Sequence, residues 1–163
     1  MTFSSFLIGV LLVPTAFAGI QSVKLGSDLK LNFDDTSWNY QYVKVLSTVT
    51  PHILENKKDK NLRVIIQKET HSEMVKDKKT LVTKKCEEAN KFYRDSKQGS
   101  AKSIQIKNTS VCFIENNKKD KNSYQIIYPK HFSKSTYDLM SFAWQASDDK
   151  NLKEVSLLVG ENL

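Results

Sequence analysis

The sequence predicts an α+β fold: a mainly antiparallel sheet of about six to eight strands packed by two helices, with a disulfide joining helix to strand. Three observations predict it. Period-two apolar runs lie on both sides of a mid-chain segment with helical periodicity, and a second helical pattern follows the last run. The only two cysteines, Cys86 and Cys112, fall one in that mid-chain helix and one in a strand after it. An export signal precedes both, and an even cysteine count in an exported chain favours one bridge over free buried thiols or an intermolecular link.

Phe6 to Val13 is an apolar run too short to span a bilayer, and Ala16-Phe17-Ala18 has the small-residue pattern of a signal-peptidase site. The expected organisation is a signal peptide over residues 1–18, cleaved after Ala18, then a single domain over 19–163. The alternative is a buried N-terminal helix. No cysteine follows the cleavage site, which argues against a lipoprotein. A secreted or periplasmic location follows, and no later segment is apolar for long enough to cross a membrane.

Gly19 to Ser27 reads as a leader or first edge strand. Leu29, Leu31 and Phe33 alternate with Lys30 and Asn32, so one face of that strand is apolar. Asp34-Asp35-Thr36-Ser37 is a polar turn. The next strand is expected over Trp38 to Leu46, with Trp38, Tyr40 and Tyr42 on one face. Such an aromatic row either binds a ligand or belongs to the core.

Two hairpins with similar text follow. The first runs from His52-Ile53-Leu54 through Glu55–Asn61 into Leu62–Lys68; the second runs from Cys112-Phe113-Ile114 through Glu115–Asn122 into Ser123–Tyr128. Asn, Asp and Lys at the tips suit turns and discourage edge-to-edge association. The likeness is consistent with an internal duplication or with two similar turns selected independently. Glu69 to Lys79 lacks periodicity and is expected as a loop. Asp77 or Thr80 is a fitting cap for a helix over Leu81 to Lys97, whose Val82, Cys86, Ala89 and Tyr93 recur on one face. Cys86 thereby faces the sheet.

Gln98-Gly99-Ser100-Ala101 is read as a break, with Gly99 stopping the helix, and Ile104 and Ile106 mark the next strand. Asn108-Thr109-Ser110 is a turn and an N-glycosylation sequon, the latter meaningful only in a eukaryotic secretory pathway. From Tyr137 to Gln145, Met140, Phe142 and Trp144 share one face while Leu139 and Ala143 lie on the other. Apolar character on both faces predicts a central strand. Asp148 or Asp149 is expected to cap a last helix with Leu152, Val155, Leu158 and Val159 inward, ending near Gly160.

Phe33 and Trp38, the succession of paired strands, mid-chain helix, second meander and closing helix, and the Leu152-to-Leu158 pattern together resemble the PsbP- and DcrB-like proteins. The resemblance implies a three-layer sandwich, an antiparallel sheet between helices, in small exported or lumenal proteins. Members of such a group share a scaffold more than an activity.

The formal net charge is +7, and all basic residues but Arg63 and Arg94 are lysines. Lysines mixed with acids make a hydrated surface, whereas phosphate-backbone recognition favours clustered arginine, so no nucleic-acid partner is expected. Metal ligation is not indicated: H-x-x-E at His52 and Glu55 lacks a second histidine and lies on a strand. No cofactor is expected either, since five glycines form no phosphate-cradling loop. Ser147-Asp148-Asp149-Lys150 fits S-x-x-K but lacks the companion motifs.

The functional expectation is a non-enzymatic exported binding or accessory protein, a monomer or weak oligomer, with an unidentified protein or anionic surface as partner. The candidate contact residues are Trp38, Tyr40 and Tyr42 on the aromatic strand, and Lys57, Lys58, Lys118 and Lys119 at the hairpin tips. The alternatives are a small secreted hydrolase using His71 or His131 with nearby acids, and an exported effector or inhibitor of another protein.

Overall fold

A computed structural model describes residues 19–25, 29–42, 51–96, 98–117, 122–133, 135–146 and 151–163. The expected signal peptide, residues 43–46, Lys118, Lys119 and the capping aspartates Asp148 and Asp149 lie outside the described residues.

The elements are β1 (Ile20–Leu25), β2 (Leu29–Asp34), β3 (Trp38–Tyr42), β4 (His52–Asn56), β5 (Arg63–His71), α1 (Lys78–Ser96), β6 (Gly99–Ile106), β7 (Thr109–Asn117), β8 (Asn122–Lys130), β9 (Tyr137–Ala146) and α2 (Leu152–Gly160). Seven strands form one antiparallel sheet in the order β3-β4-β5-β9-β8-β7-β6, and β1-β2 form a separate two-stranded ribbon. β9 is the middle strand, as its two apolar faces predict. It closes a meander whose two halves meet between β5 and β9.

Antiparallel register places opposed residues on one face of a sheet. Phe113, Ile126, Phe142, Ile66 and His52 therefore make a row across five strands, all of them buried. This face carries the main core, closed by Leu25, Leu29, Leu31 and Phe33 of the ribbon and by Val155, Leu158 and Val159 of α2. On the opposite face α1 lays Val82 and Cys86 over Cys112, Ile114 and Ile127, a smaller and separate cluster. The layers are thus ribbon and α2, sheet, and α1.

The expected bridge is present. Cys86 on α1 and Cys112 on β7 are joined with Cα atoms 5.4 Å apart. Asp77 caps α1 by accepting the Thr80 N–H at 2.8 Å and the Thr80 hydroxyl at 2.9 Å.

Three boundaries differ from the sequence reading. Glu69 to His71 extend β5 instead of forming a loop, because they pair with Tyr137 to Leu139 of β9. Gly99 begins β6 rather than breaking the chain: a Cβ there would meet the Glu115 carbonyl oxygen at 2.0 Å, so glycine permits the close approach of β6 to β7. Asn151 occupies the N-cap position of α2 without a side-chain cap bond.

The end of the main core is locked by Asn162, which is buried beneath α2. Its Oδ1 accepts the Asn32 N–H at 2.8 Å, and its Nδ2 donates to the Asn32 and Leu158 carbonyls, each at 2.8 Å. One side-chain amide thereby stands in for a neighbouring strand along β2.

Candidate functional site

The tip of the β4–β5 hairpin is held by a set of side-chain-to-backbone hydrogen bonds. Asn56 is buried and its Oδ1 accepts the backbone N–H groups of Lys58 at 2.9 Å and Asp59 at 3.0 Å. Asp59 in turn accepts the Asn61 N–H at 3.0 Å through Oδ1 and the Leu62 N–H at 3.0 Å through its carbonyl. Asn and Asp in the tip sequence are therefore the turn-forming residues, and they hold the intervening lysines in fixed places. Lys57 ties this tip to the β2–β3 turn. Its N–H donates to the Ser37 carbonyl at 2.8 Å and its ammonium donates to the Asp35 carbonyl.

Two clefts flank the tip. One, of about 770 Å³, lies against α2 and is lined by Trp38, Lys58, Lys60, Asn61, Glu154 and Glu161 among others. Burial and the neighbouring Asp34 carboxylate push the Glu161 carboxyl above its ordinary pKa, and its Oε2 is buried without a hydrogen-bond partner. The second cleft, of about 670 Å³, lies beside α1 and is lined by Lys60, Asn61, Arg63, Ile65, Tyr93 and Gln125 among others.

The register explains the second cleft. Ile114, Gln125, Ala143, Ile65 and Ile53 form a row on the α1 face. Ile114 is buried under α1, but α1 rests chiefly on β6, β7 and β8, and Ile65, three strands along from Ile114 on β5, is 41% exposed. A carboxylate, Glu55, bridges the two cations of this wall: Arg63 Nη2 lies 2.9 Å and Lys60 Nζ 3.4 Å from it. Bonding to Arg63 first, and to Lys60, holds the Glu55 carboxyl below its ordinary pKa.

The predicted contact residues are not one surface. Trp38 is buried with the core and reaches the larger cleft. Tyr40 stacks on Phe33 at 6.0 Å and shares a 2.7 Å hydrogen bond with His52 Nδ1. Tyr42 is 58% exposed and tilts over His52 at 5.9 Å. Lys57 is engaged with the β2–β3 turn, while Lys58 lines the larger cleft. Sequence reasoning missed Lys60, Asn61 and Arg63, although Lys60 and Asn61 stand in the same tip sequence. Their role depends on which faces the helices leave bare.

Each histidine has a polar neighbour. His131 Nδ1 is 3.1 Å from Asp138 Oδ2, and Asp138 Oδ1 accepts the Thr70 hydroxyl at 2.6 Å. Burial works against the Asp138 charge, but Thr70, His131 and Lys68 outweigh it and keep the carboxyl below its ordinary pKa. The Thr70 hydroxyl thus serves the aspartate, not the histidine. His71 stacks on Tyr137 at 5.1 Å, and its Nε2 is 3.4 Å from Glu69 Oε2 without hydrogen-bond geometry. Burial pushes the His52 pKa down.

No family model and no curated protein matches the chain. Among solved structures it is similar to the solution structure of cyanobacterial PsbP (CyanoP) from Synechocystis sp. PCC 6803. The chain resembles PsbP. The alignment covers 90% of this chain and 91% of that one at 14% identity, with a TM-score of 0.48. No ligand or activity is carried over with this similarity. No helix among the described residues is long and apolar enough to cross a membrane.

Proposed function

We propose that the chain is an exported binding or accessory protein, cleaved after Ala18, that grips an anionic protein or surface partner through the tip of the β4–β5 hairpin. The observation that carries this reading is that Lys60 and Asn61 line both clefts, so a single rigid tip forms the wall between two concave surfaces. A partner straddling the tip meets Lys58 and Lys60 on one side and Lys60, Arg63 and the bare Ile65 on the other. The Cys86–Cys112 bridge supports export, because such bonds persist in oxidising compartments. Lys118 and Lys119 of the second hairpin are proposed as additional contacts.

The test begins with the native mass of the protein from its own source, purified without reducing agent. A chain starting at Gly19, two hydrogens short, with retained partner mass is expected. Charge reversal at Lys58 and Lys60 then lowers affinity for an oligo-glutamate peptide and for any retained partner by tenfold or more. Unchanged binding to both refutes the hairpin-tip reading.

The Asp138–His131 contact favours one second reading, a hydrolase with His131 Nε2 as general base. Turnover of a simple ester that disappears in His131→Ala supports it, and equal turnover in the variant ends it.

A further inference from the structure

We propose that removal of the signal peptide completes the fold: the α-ammonium freed at Gly19 pairs with the Asp35 carboxylate and locks the turn that holds the β4–β5 tip. This rests on the proposed cleavage after Ala18. Hydrolysis of the Ala18–Gly19 bond by a signal peptidase adds one water, leaving a carboxylate on Ala18 and an amine on Gly19. That amine takes up a proton at neutral pH, since an α-amino group titrates at about 7.7–8.0.

The site is already shaped around the new terminus. The Gly19 N–H donates to Asp35 Oδ1 at 3.2 Å, and the Asp35 N–H donates in return to the Gly19 carbonyl at 3.3 Å. Gln21 Nε2 donates to the other carboxylate oxygen, Oδ2, at 3.4 Å. Both oxygens of Asp35 therefore serve the start of the ribbon. The neighbouring Asp34 is spent on its own turn, accepting the Thr36 N–H at 2.9 Å and the Thr36 and Ser37 hydroxyls. Gly19 and Asp35 are both half-buried. Among the described residues no side-chain cation stands within ion-pair distance of the Asp35 carboxylate. Lys57 reaches Asp35 only at its main-chain carbonyl. A half-buried carboxylate with neutral donors alone favours a positive charge beside it.

Cleavage supplies that charge at the nitrogen already in place. In the precursor the Gly19 nitrogen is a peptide amide, with one N–H and no charge; in the processed chain it is an ammonium with three donors. A charge-assisted hydrogen bond is roughly twice as strong as a neutral one. The pair also reads the position of the cut, because each extra residue carries the charge about 3.4 Å away along an extended chain. The consequence reaches the tip through one turn. The Asp35 carbonyl accepts the Lys57 ammonium, and the Ser37 carbonyl accepts the Lys57 N–H at 2.8 Å. Fixing Asp35 to the start of the ribbon fixes the turn on which Lys57 rests, so the processed chain presents Lys58 and Lys60 more rigidly than its precursor.

The test compares the mature protein from its own source with the same protein acetylated enzymatically at the α-amino group alone, which keeps one N–H and removes the charge. Acetylation should lower the urea midpoint by about 0.5 M and the exchange protection of the Lys57 N–H about fivefold. In Asp35→Asn, where no carboxylate remains, acetylation should shift the midpoint by less than about 0.2 M. Equal shifts in parent and variant overturn the proposal. So do a free and an acetylated parent with the same midpoint and the same Lys57 exchange, a comparison that decides the matter if Asp35→Asn does not fold. The native mass separates this inference from the reading beneath it. A chain that begins elsewhere than Gly19 removes the cleavage and the pair together, whereas a Gly19 start with equal shifts removes the pair alone.

Discussion

Breaking the Cys86–Cys112 bridge tests how α1 is held. The bridge spans 26 positions, and on the chain-entropy model a loop of that length stabilises the fold by about 3.5 kcal/mol. Below it, α1 rests on a cluster whose buried members are Val82, Cys86, Cys112, Ile114 and Ile127, two of them the bridged cysteines. Little else is fully buried there, so α1 should respond more than the main core on the opposite face. The assay compares oxidised protein with protein unfolded and refolded under a reductant, by urea titration. With a urea dependence of about 2 kcal/mol per molar, the midpoint should fall by about 1.7 M. Native-state hydrogen exchange should show protection lost across Lys78–Ser96 before it is lost in β5, β8 and β9. A midpoint shift below about 0.3 M, or protection in α1 that still equals that of the central strands, refutes the reasoning.

Other outcomes follow from single residues. Asn162→Ala removes three hydrogen bonds and leaves the Asn32 N–H without its partner, so stability should fall by about 2–4 kcal/mol in thermal or urea unfolding. Gly99→Ala drives a methyl group into the Glu115 carbonyl and should cost about 1–3 kcal/mol, with the loss of exchange protection centred on β6 and β7. Burial lowers the folded-state pKa of His52, so the unfolded chain binds the proton more readily. The His52 contribution is therefore complete above the unfolded value of about 6.5 and declines as pH falls below it. Urea midpoints at pH 7.5 and 5 should differ less in His52→Gln than in the parent. Asp138 acts in a lower window, since its folded-state pKa lies below the ordinary one: its contribution is present above about pH 3.9 and is lost as pH falls through the folded value. Asp138→Asn should flatten that acid limb alone.

Much of the fold was legible because it rests on local periodicity. Leu29, Leu31 and Phe33, or Met140, Phe142 and Trp144, declare a buried strand face by spacing alone, and Val82, Cys86 and Ala89 declare a helix stripe. Capping at Asp77 is equally local. What was misplaced depended on distant partners. Glu69 to His71 have no apolar alternation, and only pairing with β9 makes them a strand. Gly99 reads as a helix stop because a glycine's packing role is invisible until β7 is beside it. The aromatic row divides for a similar reason. Trp38, Tyr40 and Tyr42 share a face, yet cover from the ribbon and α2 is graded along β3, so the first is core and the last is open.

The sequence by itself determined the α+β class, the two helices, the central position of β9 and the pairing of Cys86 with Cys112. Each follows from residue spacing and from there being only two cysteines to join. Tertiary structure alone decided where concave surface remains. α1 is narrower than a seven-stranded sheet and packs chiefly on three of its strands, so Ile65 is exposed while Ile114, in the same row, is buried. Likewise, Gly19 and Asp35 are 16 positions apart, and only the pairing of β1 with β2 brings the main-chain nitrogen of one to the carboxylate of the other. Periodicity fixes which face of an element is apolar; which element covers that face, and how far, is a matter of packing.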